Sequence, residues 1–180
     1  MRDRPKDGAA KIVAELKEHE GVRVAMITGD HHAPARAIAR DLNVETVLSQ
    51  QLPQDKVAAV QSLRRESGAI AMVGDGVNDA PALAAADVGI AMGAMGSAVA
   101  LEAADVALMA DDLSKLRYAM RLSRATVANI RANVAIAVVL KALFLALAIA
   151  GVATLWMAVL ADTGASALVV ANAVRLRRFK

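Results

Sequence analysis

The chain has 180 residues, enough for one medium domain or a small domain with an appendage, and 57% are hydrophobic while 22% are charged. Without cysteine it holds neither a disulfide framework nor a thiolate metal site, and with two Phe, one Trp and one Tyr it has no stacking platform for bases. The net charge of +3 gathers beside the C-terminal apolar segments, which suits a cytoplasmic membrane flank rather than a nucleic-acid surface.

The N-terminus is charged (Arg2, Asp3, Arg4, Lys6, Asp7) and lacks the apolar core of a signal peptide. Gly8–Glu18 then shows helical apolar spacing at Ile12, Val13 and Leu16. Val22–Ile27 is a short apolar run that predicts a buried strand, and Ala33–Leu42 predicts a second helix. Val44–Leu48 predicts a short strand, and Pro53 opens a helix running through Arg65. Ala69–Val73 is the next strand, Ala80–Ala86 a short helix, Val88–Ala91 a strand and Val106–Met109 a further one. Strands alternating with helices predict an α/β fold, a parallel sheet with helices on both faces.

The pattern changes after Leu113. Leu116–Arg131 is amphipathic and basic, with Arg117, Arg121, Arg124 and Arg131. Val134–Val152 and Leu155–Val174 follow as apolar runs of roughly twenty residues each, long enough for a bilayer core of about 30 Å. Basic residues flank both outer ends, Arg175, Arg177, Arg178 and Lys180 on the far side, while the turn near Gly151 is uncharged. The positive-inside rule then predicts a multi-pass hairpin in the plasma membrane with both ends cytoplasmic. A hairpin buried in a soluble core is the alternative, but two such runs are hard to bury in so small a protein. The chain thus divides into 1–115, a linker helix 116–132 and the helical pair 133–180.

Lys141 and Asp162 interrupt the two apolar runs. Each charge costs on the order of 3 kcal/mol at a bilayer centre, so it calls for an explanation. Lys141 lies roughly 10 Å in from the cytoplasmic side and Asp162 roughly 11 Å in from the outer side, which are nearby depths in an antiparallel pair. Either the two form a plain ion pair fastening the helices, or Asp162 binds a transported cation and Lys141 stands in for it when the site is empty. Ala161, Thr163, Gly164, Ala165 and Ser166 permit close approach there. Asn133 and Asn172 sit near helix ends and call for no special role.

Within 1–115 the most telling stretch is Gly74-Asp75-Gly76-Val77-Asn78-Asp79-Ala80-Pro81, directly after the strand Ala69–Val73. It places hard carboxylate ligands at the carboxyl end of a strand, where α/β folds hold ligands and where Mg²⁺ beside a phosphate is well served. An ordinary turn with Asp caps would explain Gly-Asp-Gly alone; the whole octapeptide points to phosphoryl chemistry. Thr28-Gly29-Asp30 follows the first strand, so its hydroxyl could reach a phosphate oxygen or cap the next helix. Lys56, at the start of the helix from Pro53, could offset phosphoryl charge or be a surface lysine. His31 and His32 read as solvated helix-start residues.

Taken together, these segments resemble the C-terminal part of a P-type cation-transporting ATPase. The residues that carry the likeness are Met26–Asp30, Leu52–Lys56, Met72–Leu83, Ala86–Gly93 and Glu102–Asp105. The resemblance implies a haloacid-dehalogenase-like phosphorylation domain. Thr28 (with Gly29 and Asp30) and Lys56 would contact the aspartyl phosphate, Asp75 would bind Mg²⁺ with Asp79 in support, and Asn78 would lie nearby. Lys141 and Ala161-Asp162-Thr163-Gly164 resemble the heavy-metal pumps that export Zn²⁺, Cd²⁺ and Pb²⁺. The Asn/Tyr and Met/Ser signatures of copper pumps and the His-Glu-Gly segment of cobalt-type relatives are absent, and a hard carboxylate suits a divalent cation.

The family's Asp-Lys-Thr-Gly-Thr nucleophile segment is absent from these residues, as are a nucleotide-binding domain, an actuator domain and a Cys-Pro-Cys site. Met95-Gly96-Ser97-Ala98 also departs from the acidic residue the family would place near Ala98. The resemblance therefore implies a fragment of an ATP-driven exporter, truncated or half of a split gene, inactive alone. Its partners would be membrane lipid, a divalent heavy-metal cation and the missing N-terminal part. The alternative is a non-catalytic membrane module that associates with an intact pump. A membrane-anchored phosphatase is disfavoured because no Asp-x-Asp pair follows an early strand.

Overall fold

A computed structural model describes residues 8–74, 77–93, 98–109, 112–152 and 154–178. The charged N-terminal residues 2–7, Asp75, the departure at Met95–Ser97 and Lys180 lie outside the described residues. The chain forms two compact units, Met1–Arg117 and Tyr118–Lys180.

The first unit runs α1 (Ala9–Glu20), β1 (Ala25–Ile27), α2 (His32–Asp41), β2 (Thr46–Leu48), α3 (Pro53–Ser67) and β3 (Ala71–Gly74). A 3-10 turn (Val77–Asp79) leads into α4 (Ala80–Ala85), followed by β4 (Val88–Met92), α5 (Ala98–Ala103) and β5 (Val106–Leu108). All five strands read from the sequence are present. The reading lacked α5, whose six residues are too short to display a helical period. All pairings are parallel, as the alternation of strand and helix requires. β1 pairs with β2 from Ala25 opposite Thr46 to Ile27 opposite Leu48. β3 pairs with β4 from Ala71 opposite Val88 to Gly74 opposite Ala91, and β4 with β5 from Ile90 opposite Val106.

The core centres on β4, whose Gly89–Met92 is buried against α4. Leu83 and Val60 are its largest fully buried side chains, and the alanines of α4 let that helix sit close to both α3 and β4. A Cβ on Gly89 would stand 2.7 Å from the Leu83 carbonyl oxygen, so only glycine fits. Two carboxylates matched by the family resemblance prove to be structural ties. Asp87 Oδ2 accepts the Ile70 N–H at 2.9 Å and pairs with Arg64, fixing the start of β3. Asp105 Oδ2 accepts the Gly89 N–H at 2.8 Å, locking β5 to β4. Parallel strands are usually covered on both faces, yet β1, β2 and β3 are only partly covered.

Helix α6 (Ser114–Ile149) joins the basic stretch at 116–132 and the apolar run after it into one helix of 36 residues. Its first turn is held to α1 by Arg117, which donates to Glu15 at 2.8 Å. Asp112, just before that turn, accepts from the Ser114 hydroxyl at 2.8 Å and the Ser114 N–H at 2.9 Å. The helix is long and apolar enough to cross a membrane, with a mean hydropathy of 2.4 over its most apolar stretch, none of which is buried in the protein.

In the second unit a turn at Gly151 leads to α7 (Leu155–Val174), capped by the Thr154 hydroxyl, which accepts the Met157 N–H. Three asparagines link α6 to α7. Asn172 Nδ2 donates to Asn133 Oδ1 at 2.7 Å, Asn133 Nδ2 to Asn129 Oδ1 at 3.0 Å, and Asn129 Nδ2 to the Asn172 carbonyl at 2.9 Å. That carbonyl belongs to the last turn of α7 and also accepts the Arg175 N–H at the helix end. Between apolar helices each such bond contributes about 0.6 kcal/mol, and up to about 1.7.

Candidate functional site

The carboxyl ends of β1 and β3 carry the residues singled out for phosphate chemistry. Gly74 ends β3, and Asp79 closes the 3-10 turn after it. A Cβ on Gly74 would lie 2.9 Å from Asp79 Cβ and 3.1 Å from Asp79 Oδ2, so the glycine is what lets Asp79 fold back over the strand end. Lys56, in the first turn of α3, reaches across to it. Its Nζ lies 2.6 Å from Asp79 Oδ1, and the two side chains are only 16% and 15% exposed. At that burial each charge requires the other.

The pair is not used up by its own contact. Lys56 carries three donors, so two remain for another ligand. Asp79 Oδ2 accepts no hydrogen bond among the described residues. Asp75, a second carboxylate, follows Gly74 in the sequence and lies outside the described residues. Carboxylate oxygens such as Asp79 Oδ2 are the kind of ligand that Mg²⁺ takes. Asn78, in the same turn, is exposed.

Thr28-Gly29-Asp30 is arranged differently. The Thr28 hydroxyl donates to Asp30 Oδ2 at 2.9 Å and accepts the Asp30 N–H at 3.1 Å, closing the segment on itself. The loop is laced to the one after β2, because Gln51 N–H donates to the Thr28 carbonyl at 3.0 Å and Gln50 N–H to the Asp30 carbonyl at 2.8 Å. His31 and His32 belong to this lacing, His31 through Gln50 Nε2 at 3.1 Å and His32 through the Ser49 hydroxyl. Both are exposed at the start of α2, as the sequence suggests, and each adds one of these contacts. The structure thus joins Lys56 to Asp79, while no bond among the described residues connects either to Thr28. A hollow of about 470 Å³ between β2 and α3, lined by Leu48, Asp55 and Leu63 among others, excludes the Lys56–Asp79 pair.

In the hairpin, Lys141 and Asp162 are both exposed, and neither has an ion-pair or hydrogen-bond partner among the described residues. The plain ion pair that the sequence left open is not formed. Asn129, Asn133 and Asn172, to which sequence reasoning gave no role, do pair across the two helices. Their signal was present: Asn129 and Asn133 are four residues apart, hence on one helix face, and Asn172 is an amide in an otherwise apolar helix.

A family of haloacid dehalogenase-like hydrolases matches residues 1–87. Over 180 residues, all of this chain and 22% of the relative, the sequence is 46% identical to a probable cadmium-transporting ATPase of Staphylococcus aureus. It is 44% identical over 183 residues to a cadmium, zinc and cobalt-transporting ATPase of Bacillus subtilis, covering all of this chain and 26% of that one. Among solved structures, a zinc-transporting PIB-type ATPase in its E2.Pi state superposes with a TM-score of 0.91 and 48% identity, over 98% of this chain and 29% of that one. The chain therefore spans about a quarter of the length of the curated relatives it matches.

Proposed function

We propose that the chain belongs to the heavy-metal-transporting P-type ATPases and supplies the phosphate-site region and the last two membrane helices of an ATP-driven exporter of Zn²⁺ and Cd²⁺, with Pb²⁺ as a further cargo. The observation that carries this reading is the half-buried Lys56–Asp79 pair beside the end of β3. In the complete pump, Lys56 turns its remaining donors to the phosphoryl oxygens while Asp79 holds its ammonium in place. The Thr28 hydroxyl exchanges its bond to Asp30 for one to the same group. Asp75 and Asp79 would hold Mg²⁺, which neutralises charge on the transferring phosphoryl group when bound.

The aspartate nucleophile is not among these residues, and the sheet suggests where its segment fits. β1 and β3 each have one edge without a strand partner among the described residues. One parallel strand inserted between them would merge the two ladders and cover backbone groups that edges leave open. Its carboxyl end would then lie among Thr28, Lys56 and Asp79.

Both α6 and α7 cross the membrane in this reading, with their outer ends cytoplasmic and Asp162 taking part in binding the cation. Joined to the rest of the pump, the Asp162→Ala variant should lose Zn²⁺-stimulated ATP hydrolysis, and Lys56→Ala should lose the phosphoenzyme. Unchanged stimulation of Asp162→Ala by Zn²⁺ would sink the cation-site assignment. Topology is checked separately: Val152→Cys, in a chain otherwise free of cysteine, should react with an impermeant maleimide added outside intact cells.

A further inference from the structure

We propose that Asn129, Asn133 and Asn172 are positioning residues, a clasp that sets the register of α6 against α7 and so presents Lys141 and Asp162 side by side, unpaired, on one face of the hairpin. The geometry follows from the clasp alone; the purpose assigned to it rests on reading Lys141 and Asp162 as transport residues.

The clasp is a closed ring of three bonds, two of which cross between the helices. Side-chain amides have fixed donor and acceptor ends, so the ring forms in one register only. Each helix also has a half-buried apolar stripe, Ile136, Leu140, Phe144 and Leu147 on α6 and Ala161, Ala165 and Val169 on α7, but such contacts are non-directional, so the amides add what they lack in fixing one register.

From that anchor the positions of the two charges can be calculated. Lys141 lies eight residues beyond Asn133, and Asp162 ten residues before Asn172. At 1.5 Å per residue these are about 12 Å and about 15 Å from the clasp, so the two levels differ by about 3 Å. Viewed from the clasp toward the turn, every right-handed helix rotates clockwise by about 100° per residue, whichever way its chain runs. Lys141 is then turned about 80° clockwise from Asn133, and Asp162 about 80° anticlockwise from Asn172. Since the two asparagines face each other, both rotations lead to the same side of the hairpin.

The same construction explains why the charges do not pair. Helix axes pack about 8–10 Å apart, and two side chains leaving them in near-parallel directions keep that separation. A carboxylate and an ammonium held abreast can act on a third group placed against this face, such as a divalent cation ligated from the remaining helices of the pump. Slipping α7 by one residue would swing Asp162 through about 100° and destroy the arrangement.

The full chain, in lipid nanodiscs and without metal or ATP, provides the test. Lys141→Cys/Asp162→Cys is compared with Lys141→Cys/Leu160→Cys, Leu160 being turned to the opposite face. A bifunctional thiol reagent spanning about 10 Å should link the first pair at least about tenfold faster than the second. Adding Asn133→Ala should slow the first pair and bring the two rates together, with helix content by circular dichroism unchanged. Asn172→Gln, which keeps the amide but lengthens its arm, provides a second variant should Asn133→Ala lose helix content, and it should also blur the preference. The proposal fails if Leu160→Cys links as fast as Asp162→Cys in the parent, or if neither asparagine variant alters the ratio. Because the readout needs no transport, a complete pump in which Asp162→Ala keeps its Zn²⁺ stimulation would remove the purpose of the clasp and leave its geometry standing.

Discussion

The two units treat their polar residues in opposite ways. In Met1–Arg117 the charges at the candidate phosphate site are already neutralised inside the chain, Lys56 by Asp79 at 2.6 Å. In Tyr118–Lys180 three neutral amides are paired with one another while two of the charges, Lys141 and Asp162, have no partner among the described residues. Burial accounts for the difference. A charge removed from water within the protein must be compensated where it lies, so Lys56 and Asp79 are paired with no ligand present. Lys141 and Asp162 are exposed, and no neighbour within the described residues compensates either one.

Breaking a charge pair is the most direct attack on this contrast. Lys56→Met strands Asp79 in a site only 15% exposed, which should destabilise the first unit by about 3–5 kcal/mol. Urea unfolding of the full chain followed by circular dichroism measures it, and the double variant Lys56→Met/Asp79→Leu should recover much of the loss. The matching change in the hairpin, Lys141→Met, should cost nothing in folding and should favour membrane insertion by about 3 kcal/mol. A membrane-integration assay reads the difference, and a Lys141→Met hairpin that unfolds would erase the contrast altogether.

A smaller effect sharpens the comparison from the packing side. Gly89→Ala puts a Cβ 2.7 Å from the backbone oxygen of Leu83, a contact that only backbone movement can relieve. Overpacking of this kind costs about 1–3 kcal/mol, and the loss should appear as a lower urea midpoint with an unchanged slope. Gly164→Ala, whose added carbon meets nothing within 4 Å in the hairpin, should leave that midpoint where it was.

Much of this was readable from the residues, and the remainder was hidden for physical reasons. The five strands stood out because short apolar runs bounded by polar turns differ plainly from helical spacing. The Gly74–Pro81 octapeptide announced the strand end at which Asp79 now stands. What the sequence could not display was pairing between distant residues. Nothing local tells that Lys56 meets Asp79, 23 positions away, rather than solvent. Asp87 and Asp105 came with the family likeness, yet their work is to hold strand backbones. Asn172 and Asn133 were set aside because an amide near a helix end has an obvious local explanation. Their actual partners are 39 positions apart, and only the antiparallel return of α7 brings them together.

The smallest predicted effect lies where the first unit ends, at the start of α6. The Ser114 hydroxyl, then the Ser114 N–H, stabilise the ionised Asp112 carboxylate and hold its pKa below the usual value; burial opposes this, and Lys115 adds to the lowering. A depressed folded-state pKa means that the interaction is fully present above the ordinary carboxylate value and is lost as pH falls through the folded one. Amide exchange at Ser114, Lys115 and Leu116 should therefore be flat from neutral pH down to about 4, once the intrinsic pH dependence is removed. Protection should then fall on further acidification. Asp112→Asn should remove the acid limb while leaving the exchange of β4 untouched. If the acid limb persists in that variant, the start of α6 is held by Arg117 and Glu15 instead, and the helix is fastened to α1 rather than capped by its own first residues.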